Sequence, residues 1–216
     1  EVFRVLLSGN FKATILDGVG VGTILSEEKP SRSFISESGS DLNDCSVQTL
    51  PCRHIAKAMT QTAPDGEVII LTPGSYETAP LTLTQGIKIT SPSGTVAFIR
   101  QPITINAPGG RVVLRGLTLM GTGSGNGITV TAADSVSIED LTIDRWTNGL
   151  RLNNAAASRV SLLNMIVRNT TSGVLDTGAS PANQVVIRES RFEGNAKGLE
   201  ILSGAFQVTD STFSGN

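Results

Sequence analysis

An apolar pattern recurs about every 24 residues through the second half of the chain. Its five copies read VVLRGLTL, VSIEDLTI, VSLLNMIV, VVIRESRF and FQVTDSTF, with offsets of 24, 24, 25 and 21 residues between starts. They begin at Val112, Val136, Val160, Val185 and Phe206. Within each copy the apolar positions alternate with period two, which is typical of short strands with one buried face. A bend at Glu139 and Asp140 lets Leu141 remain inside.

A glycine-led apolar strand follows each of the first four copies, at Gly127, Gly149, Gly173 and Gly198. Each repeat therefore carries three short strands, which cannot bury an apolar face alone. Stacking repeats at about 4.8 Å pairs all three strands in parallel. The sequence thus predicts an all-β parallel β-helix. A leucine-rich repeat would need a different Leu and Asn spacing, and a β-sandwich would not keep this register.

A capping segment is expected before the first coils, because an open solenoid end exposes apolar side chains. Apolar runs at 68–71, 81–83, 87–89 and 103–105 predict irregular first coils upstream of the repeats. Before them, LPCRHIAKAMTQ predicts an amphipathic helix over residues 51–62, with Pro51 in its first turn. Its apolar face would hold Cys52, Ile55, Ala56 and Met59. Its solvent face would hold Arg53, His54 and Lys57.

Charge and hydropathy limit the partner classes. The net charge of -2 and the pI of about 5.5 supply no basic field for nucleic acid. No apolar run reaches the roughly 18 residues needed to span a bilayer. The start EVFRVLLSGN lacks the features of a signal peptide, and DSTFSGN ends partway through a coil. We expect the chain to be an excerpt of a longer protein.

The two cysteines lie seven residues apart in DCSVQTLPC. A pair this local, without another Cys or His close by, favours a disulfide between Cys45 and Cys52 over a metal site with four ligands. Two unpaired thiols are the alternative.

The repeats, with Asn or Asp at the bends and Gly before the third strand, resemble the right-handed parallel β-helix proteins of the pectate-lyase-like group over residues 34–216. The block from FISESGSD to LTPGSY, which spans the cap (34–66) and the first strand of the coils (67–216), is similar to the opening of many exported bacterial β-helix proteins. This resemblance implies an extracellular or cell-surface location.

Residues 1–27 contain two alternating strands and a Gly-x-Gly-Thr-Ile-Leu segment, and they are similar to the closing hairpin of a Calx-β domain. Residues 28–33 would link this hairpin to the cap. The resemblance implies Ca²⁺ ligands at Glu27 and Glu28. Two adjacent carboxylates supply fewer than the roughly six to eight oxygen ligands that Ca²⁺ takes. A solvated linker is the alternative. An isolated hairpin is only marginally stable, so self-association by strand addition is a further expectation.

Two outward columns carry the candidate chemistry. The column after each segment is Met120, Asp144, Arg168, Glu193 and Ser214, and the bend column is Gly116, Asp140, Asn164, Glu189 and Asp210. Stacked carboxylates suit Ca²⁺ or acid-base work on a glycoside. A lyase would use Arg168 or Arg188 beside Asp140, Asp144 and Glu189. Exposed ion pairs and ordinary bend residues are the alternatives.

Aromatic residues make up only 4% of the chain, although sugar-binding clefts commonly stack rings on pyranoses. Trp146, in the turn DRWTNG, is the candidate for carbohydrate contact, with packing on a neighbouring coil as the alternative. A polygalacturonase-like hydrolase would require a His near the bends, and none lies there. The sequence therefore favours a non-enzymatic surface module that contacts a polysaccharide or a cell-surface protein, with a polysaccharide lyase or glycoside hydrolase as the second hypothesis.

Overall fold

The computed structural model describes residues 2–6, 19–23, 28–154, 156–177 and 183–216. The described residues from 28 onward form a parallel β-solenoid of about 6 turns, as the repeat predicted. The strands are β1 Val2–Leu6, β2 Val19–Thr23, β3 Arg32–Ile35, β4 Glu67–Ile70, β5 Gly74–Ser75, β6 Leu81–Leu83, β7 Ile87–Thr90, β8 Ala97–Ile99, β9 Ile103–Arg115, β10 Leu117–Met120, β11 Asn126–Glu139, β12 Thr142–Asp144, β13 Asn148–Leu152, β14 Arg159–Leu163, β15 Ile166–Arg168, β16 Ser172–Asp176, β17 Gln184–Arg188, β18 Arg191–Glu193, β19 Lys197–Ile201, β20 Ala205–Thr209 and β21 Thr212–Ser214. Helix α1 covers Ile55–Gln61.

The strand register reproduces the alignment of the repeats. The five start positions pair in succession from coil to coil, in the order Val112, Val136, Val160, Val185 and Phe206. In the second copy the predicted inward residues Ile138 and Ile143 are fully buried, and Leu141 is 1% exposed. Equivalent apolar side chains therefore stack along the solenoid axis and form one continuous core.

Two coils join strands that the sequence analysis kept apart. Strand β11 runs without a break from the glycine-led segment at Gly127 into the next repeat, and β9, one coil earlier, runs from the apolar run 103–105 into the first repeat. The link in β11 is short, and Ala132 and Ala133 still pair with Asn106 and Ala107 of β9 across register shifts. Later coils have longer links, so β13 and β14 are separate strands.

The capping helix is shorter than predicted. It begins at Ile55, because Cys52 is held in extended backbone at the edge of β3: its N–H bonds to Phe34 O, and its carbonyl accepts the N–H of Ser36, both at 2.9 Å. The predicted apolar face also needs a correction, since Ala58 is buried and Ala56 is exposed. The helix contacts β3, β4 and β6, at the start of the solenoid.

The N-terminal strands β1 and β2 pair antiparallel, from Val2 with Thr23 to Leu6 with Val19. Within the described ranges this pair hydrogen-bonds to no other strand. Strand β3 begins at Arg32, within the range 28–33 that we interpreted as a linker. No helix in the described parts of the chain is long and apolar enough to cross a bilayer.

Candidate functional site

The bend column is first of all a backbone feature. Its members all have a positive φ, between 51° and 73°: Gly116, Asp140, Asn164, Glu189 and Asp210. Residues with a Cβ rarely adopt this left-handed conformation, and Asn and Asp tolerate it best because their short side chains bond locally. The conformation that turns each coil therefore accounts for the residue types in this column, as the bend interpretation predicted.

Asp140 is occupied by neighbouring side chains. Arg115 Nε donates to its Oδ2 at 3.1 Å, and Asn164 Nδ2 donates to its Oδ1 at 2.8 Å. Both partners lie one coil away, on opposite sides. The carboxylate thus links three successive coils through both of its oxygens.

Asp144 has the same kind of environment in the outward column. Arg168 Nε donates to its Oδ2 at 3.2 Å, and Asn169 Nδ2 donates to its Oδ1 at 2.8 Å. The register places Arg168 directly on Asp144 in the next coil. The predicted ladder of ion pairs is therefore present at this step, where the side chain of Asp144 is only 10% exposed.

The candidate catalytic residues are distributed over separate contacts. Asp140 bonds with Arg115, whereas Asp144 pairs with Arg168. Arg188 and Glu189 are exposed and make no ion pair within the described residues. No group of three His, Cys, Asp or Glu side chains suited to a metal ion occurs in the part of the chain that the structure describes. A catalytic role for these residues stays a prediction.

The two predicted calcium ligands lie at the edge of the described chain. Glu28 is exposed, and Glu27 lies outside the described residues. Calcium binding at this pair stays a prediction.

Trp146 packs inside the solenoid. The residue is only 5% exposed, and its ring fills the space left by two glycines. A Cβ on Gly121 would lie 2.5 Å from the indole Cδ2, and one on Gly127 would lie 3.3 Å from Cδ1. The position of Trp146 therefore matches the alternative of packing on a neighbouring coil. A buried ring offers no open face for stacking on a sugar.

The predicted disulfide is present between Cys45 and Cys52, whose Cα atoms are 5.0 Å apart. Both cysteines are fully buried. Phe34 N–H bonds to Cys45 O at 2.8 Å, so the disulfide loop is fastened to β3 at both cysteines. This bond closes the cap rather than forming a reactive site.

His54 is paired rather than free in solvent, which corrects the sequence expectation. Its Nδ1 lies 2.6 Å from Asp41 Oδ2, and its side chain is 27% exposed. Burial raises the pKa of Asp41, but hydrogen bonds from His54 and from the backbone N–H groups of Arg53 and His54 outweigh it and lower that pKa overall. The pair holds the loop of Asp41 against the start of α1.

Glu77 is a buried acid that the sequence analysis missed. It is 7% exposed and accepts the N–H of Ala56 at 3.1 Å, in the first turn of α1. Burial raises its pKa, with the backbone hydrogen bonds from Ala56 and Ile55 opposing the shift. The free N–H groups of a helix start need such an acceptor, but no periodic pattern connects Glu77 to the helix.

A basic cleft on the outer face of β11, β14 and β17 was also missed. Its volume is about 700 Å³. It is lined by Arg111, Arg159, Arg188, Ser137, Ser161 and Val186, among others, and we call it the arginine cleft. A signal existed in the sequence, since Arg111 and Arg159 each immediately precede a repeat segment.

No protein-family model, curated protein or solved structure matches this chain. The solenoid assignment therefore rests on the strand register, and the resemblances to pectate-lyase-like and Calx-β proteins stay interpretations of the sequence.

Proposed function

We propose that this chain is a non-enzymatic module of an exported surface protein, in which a rigid β-helix presents its outer faces to a carbohydrate or to another surface molecule. The observation that carries the proposal is the state of Asp140 and Asp144. Each uses both carboxylate oxygens as acceptors for neighbouring protein side chains. An acid or base in a glycosidase needs an oxygen free to reach the substrate or water.

The exported location is supported by the disulfide, because disulfides persist mainly in oxidising compartments. The antiparallel pairing of β1 with β2 supports a closing hairpin of the Calx-β type, which would bring Ca²⁺ to Glu27 and Glu28. The coil length and the bend residues support kinship with the pectate-lyase-like group.

The central claim is tested by incubating the full chain with acidic and neutral polysaccharides, with and without Ca²⁺. Unsaturated-product absorbance reports a lyase, and reducing ends report a hydrolase. We expect no turnover on any substrate. Turnover that disappears in Arg168→Ala or Arg188→Ala, while Arg191→Ala keeps it, would overturn the proposal in favour of a lyase whose active face includes those arginines.

A further inference from the structure

The arginine cleft follows from strand register. Outward residues of β9, β11, β14 and β17 form columns along the solenoid axis. One flanking column is Arg111, Ser135, Arg159 and Gln184. The other flanking column is Arg115, Glu139, Leu163 and Arg188. Between them runs the column Val113, Ser137, Ser161 and Val186. The cleft is thus a trough across successive coils, with small side chains on its floor.

Three arginines of the cleft keep their charge available. Arg111, Arg159 and Arg188 are exposed, and within the described residues none of them lies in an ion pair. Arg115, by contrast, is bound to Asp140. Two acids lie beside these arginines: Asp134 lines the cleft, and Glu139 of the flanking column lies 3.9 Å from Arg115 and accepts a hydrogen bond from the Ser137 hydroxyl at 2.8 Å. A local excess of positive charge on a chain of net charge -2 points to an anionic ligand.

The floor suits a sugar chain. Ser161 presents an exposed hydroxyl, and the half-buried Val186 adds an apolar surface in the same column. Sugar rings carry hydroxyl groups on their edges and C–H groups on their faces, so a floor of hydroxyl and methyl groups matches both. Arginine adds a planar fork that binds a carboxylate through two parallel hydrogen bonds.

The spacing of the arginines selects among anionic polymers. Arg111 and Arg159 occupy the same column two coils apart, which corresponds to about 9.6 Å at a strand separation of about 4.8 Å. Phosphates follow one another far more densely in nucleic acids, and same-face residues of an extended peptide repeat at about 6.7 Å. A separation of two coils is close to the length of one extended disaccharide.

We propose that the arginine cleft binds an extended acidic polysaccharide that carries one carboxylate in each disaccharide, with the sugar chain running along the solenoid axis. Successive carboxylates would meet Arg111 and Arg159, and Arg188 would contact the chain from the opposite flank. This inference rests on the proposed function, because it assigns a ligand to a module that binds without cleaving.

The test is calorimetric titration of the full chain with oligosaccharides of matched length. Hyaluronan oligosaccharides carry one carboxylate per disaccharide, oligogalacturonates carry one per monosaccharide, and chito-oligosaccharides carry none. A single-stranded DNA oligomer serves as the nucleic-acid probe. We expect hyaluronan to bind best. Arg111→Gln with Arg159→Gln should weaken that binding about tenfold or more, because each lost charge-assisted contact at an exposed site costs roughly a factor of three to ten.

Arg191→Gln is the matched control, since Arg191 is exposed on β18, outside the cleft, and the substitution removes the same charge. The proposal is overturned by equal binding of the cleft and control variants, by tighter binding of oligogalacturonate or DNA, or by no hyaluronan binding. Analysis of the oligosaccharide length after titration separates the two proposals. Shortened products would overturn the non-enzymatic function, whereas loss of binding without cleavage would overturn only the cleft assignment.

Discussion

Asn164 stands directly after Asp140 in the bend column and donates a hydrogen bond of 2.8 Å from its Nδ2 to Asp140 Oδ1. Both residues have a left-handed backbone, with φ of 51° and 52°. The residues that turn each coil therefore also hold adjacent coils together through this side-chain hydrogen bond.

Asn164→Ala should destabilise the protein by about 1 to 2 kcal/mol, because it loses the hydrogen bond to Asp140 and leaves an alanine with a positive φ. Glu189→Gly should have the opposite effect and stabilise by roughly 0.5 kcal/mol, since the relief of left-handed strain exceeds the added entropy of the unfolded chain. Urea denaturation of both variants checks the signs. Equal effects of the same sign would contradict this account of the bends.

The glycine at the second position of β13, β16 and β19 is required by the close approach of neighbouring coils. A Cβ on Gly173 would lie 2.5 Å from Gly198 O and 2.8 Å from the Phe192 ring. We expect Gly173→Ala to cost about 1 to 3 kcal/mol from overpacking. Gly125→Ala is the comparison, because its Cβ meets open space and only the φ of 74° is unfavourable. Thermal denaturation should place Gly173→Ala below Gly125→Ala.

Two carboxyl groups, those of Asp41 and Glu77, should change the stability with pH in opposite directions. The folded-state pKa of Asp41 is lowered, so its contribution is present above the unfolded pKa and is lost as the pH falls through the folded value. The pKa of Glu77 is raised by burial, so its contribution is present at low pH and is lost as the pH rises through the raised value.

Denaturation between about pH 3 and about pH 7 tests both signs. Asp41→Asn should flatten the loss of stability on the acid side, and Glu77→Gln should raise stability at neutral pH while its amide oxygen still accepts the N–H of Ala56. Asp134→Asn removes an exposed charge as the control. A neutral-pH loss in Glu77→Gln would show that the ionised carboxylate is needed at the helix start.

Removal of the disulfide should weaken the cap more than the later coils. Closing a loop of this length reduces the entropy of the unfolded chain by an amount worth about 2 to 3 kcal/mol. In the double variant Cys45→Ala, Cys52→Ala, hydrogen exchange should accelerate in β3 and α1 and remain slow in β14. Uniform acceleration along the whole solenoid would indicate that the cap and the coils unfold as one unit.

The N-terminal hairpin should promote assembly if its strands add to another molecule. Deletion of residues 1–27 should then convert a concentration-dependent oligomer into a monomer, as measured by analytical ultracentrifugation. The same monomeric mass with and without these residues would remove strand addition from the expected partners.

The repeated core was predictable because it depends on the order of apolar and polar residues along the chain. Val136 and Ile138 alternate with polar residues, and the spacing from one copy to the next places them on Val160 and Leu162. The disulfide was likewise predictable from two nearby cysteines. The start of α1 was not predictable from sequence. Backbone hydrogen bonds to Phe34 and Ser36 hold Cys52 in an extended conformation, and these partners are distant from Cys52 in the sequence.

Sequence alone thus determined the solenoid, its repeat length, the inward positions and the bend residues, since a period of two within a period of about 24 leaves one way to bury the apolar side chains. Only the tertiary structure decided which polar groups meet. Asp140 finds Arg115, Glu77 reaches the first turn of α1, and Arg111 aligns with Arg159 across an intervening coil. Such contacts depend on the geometry of outward side chains and non-repeating loops, which the burial pattern leaves free.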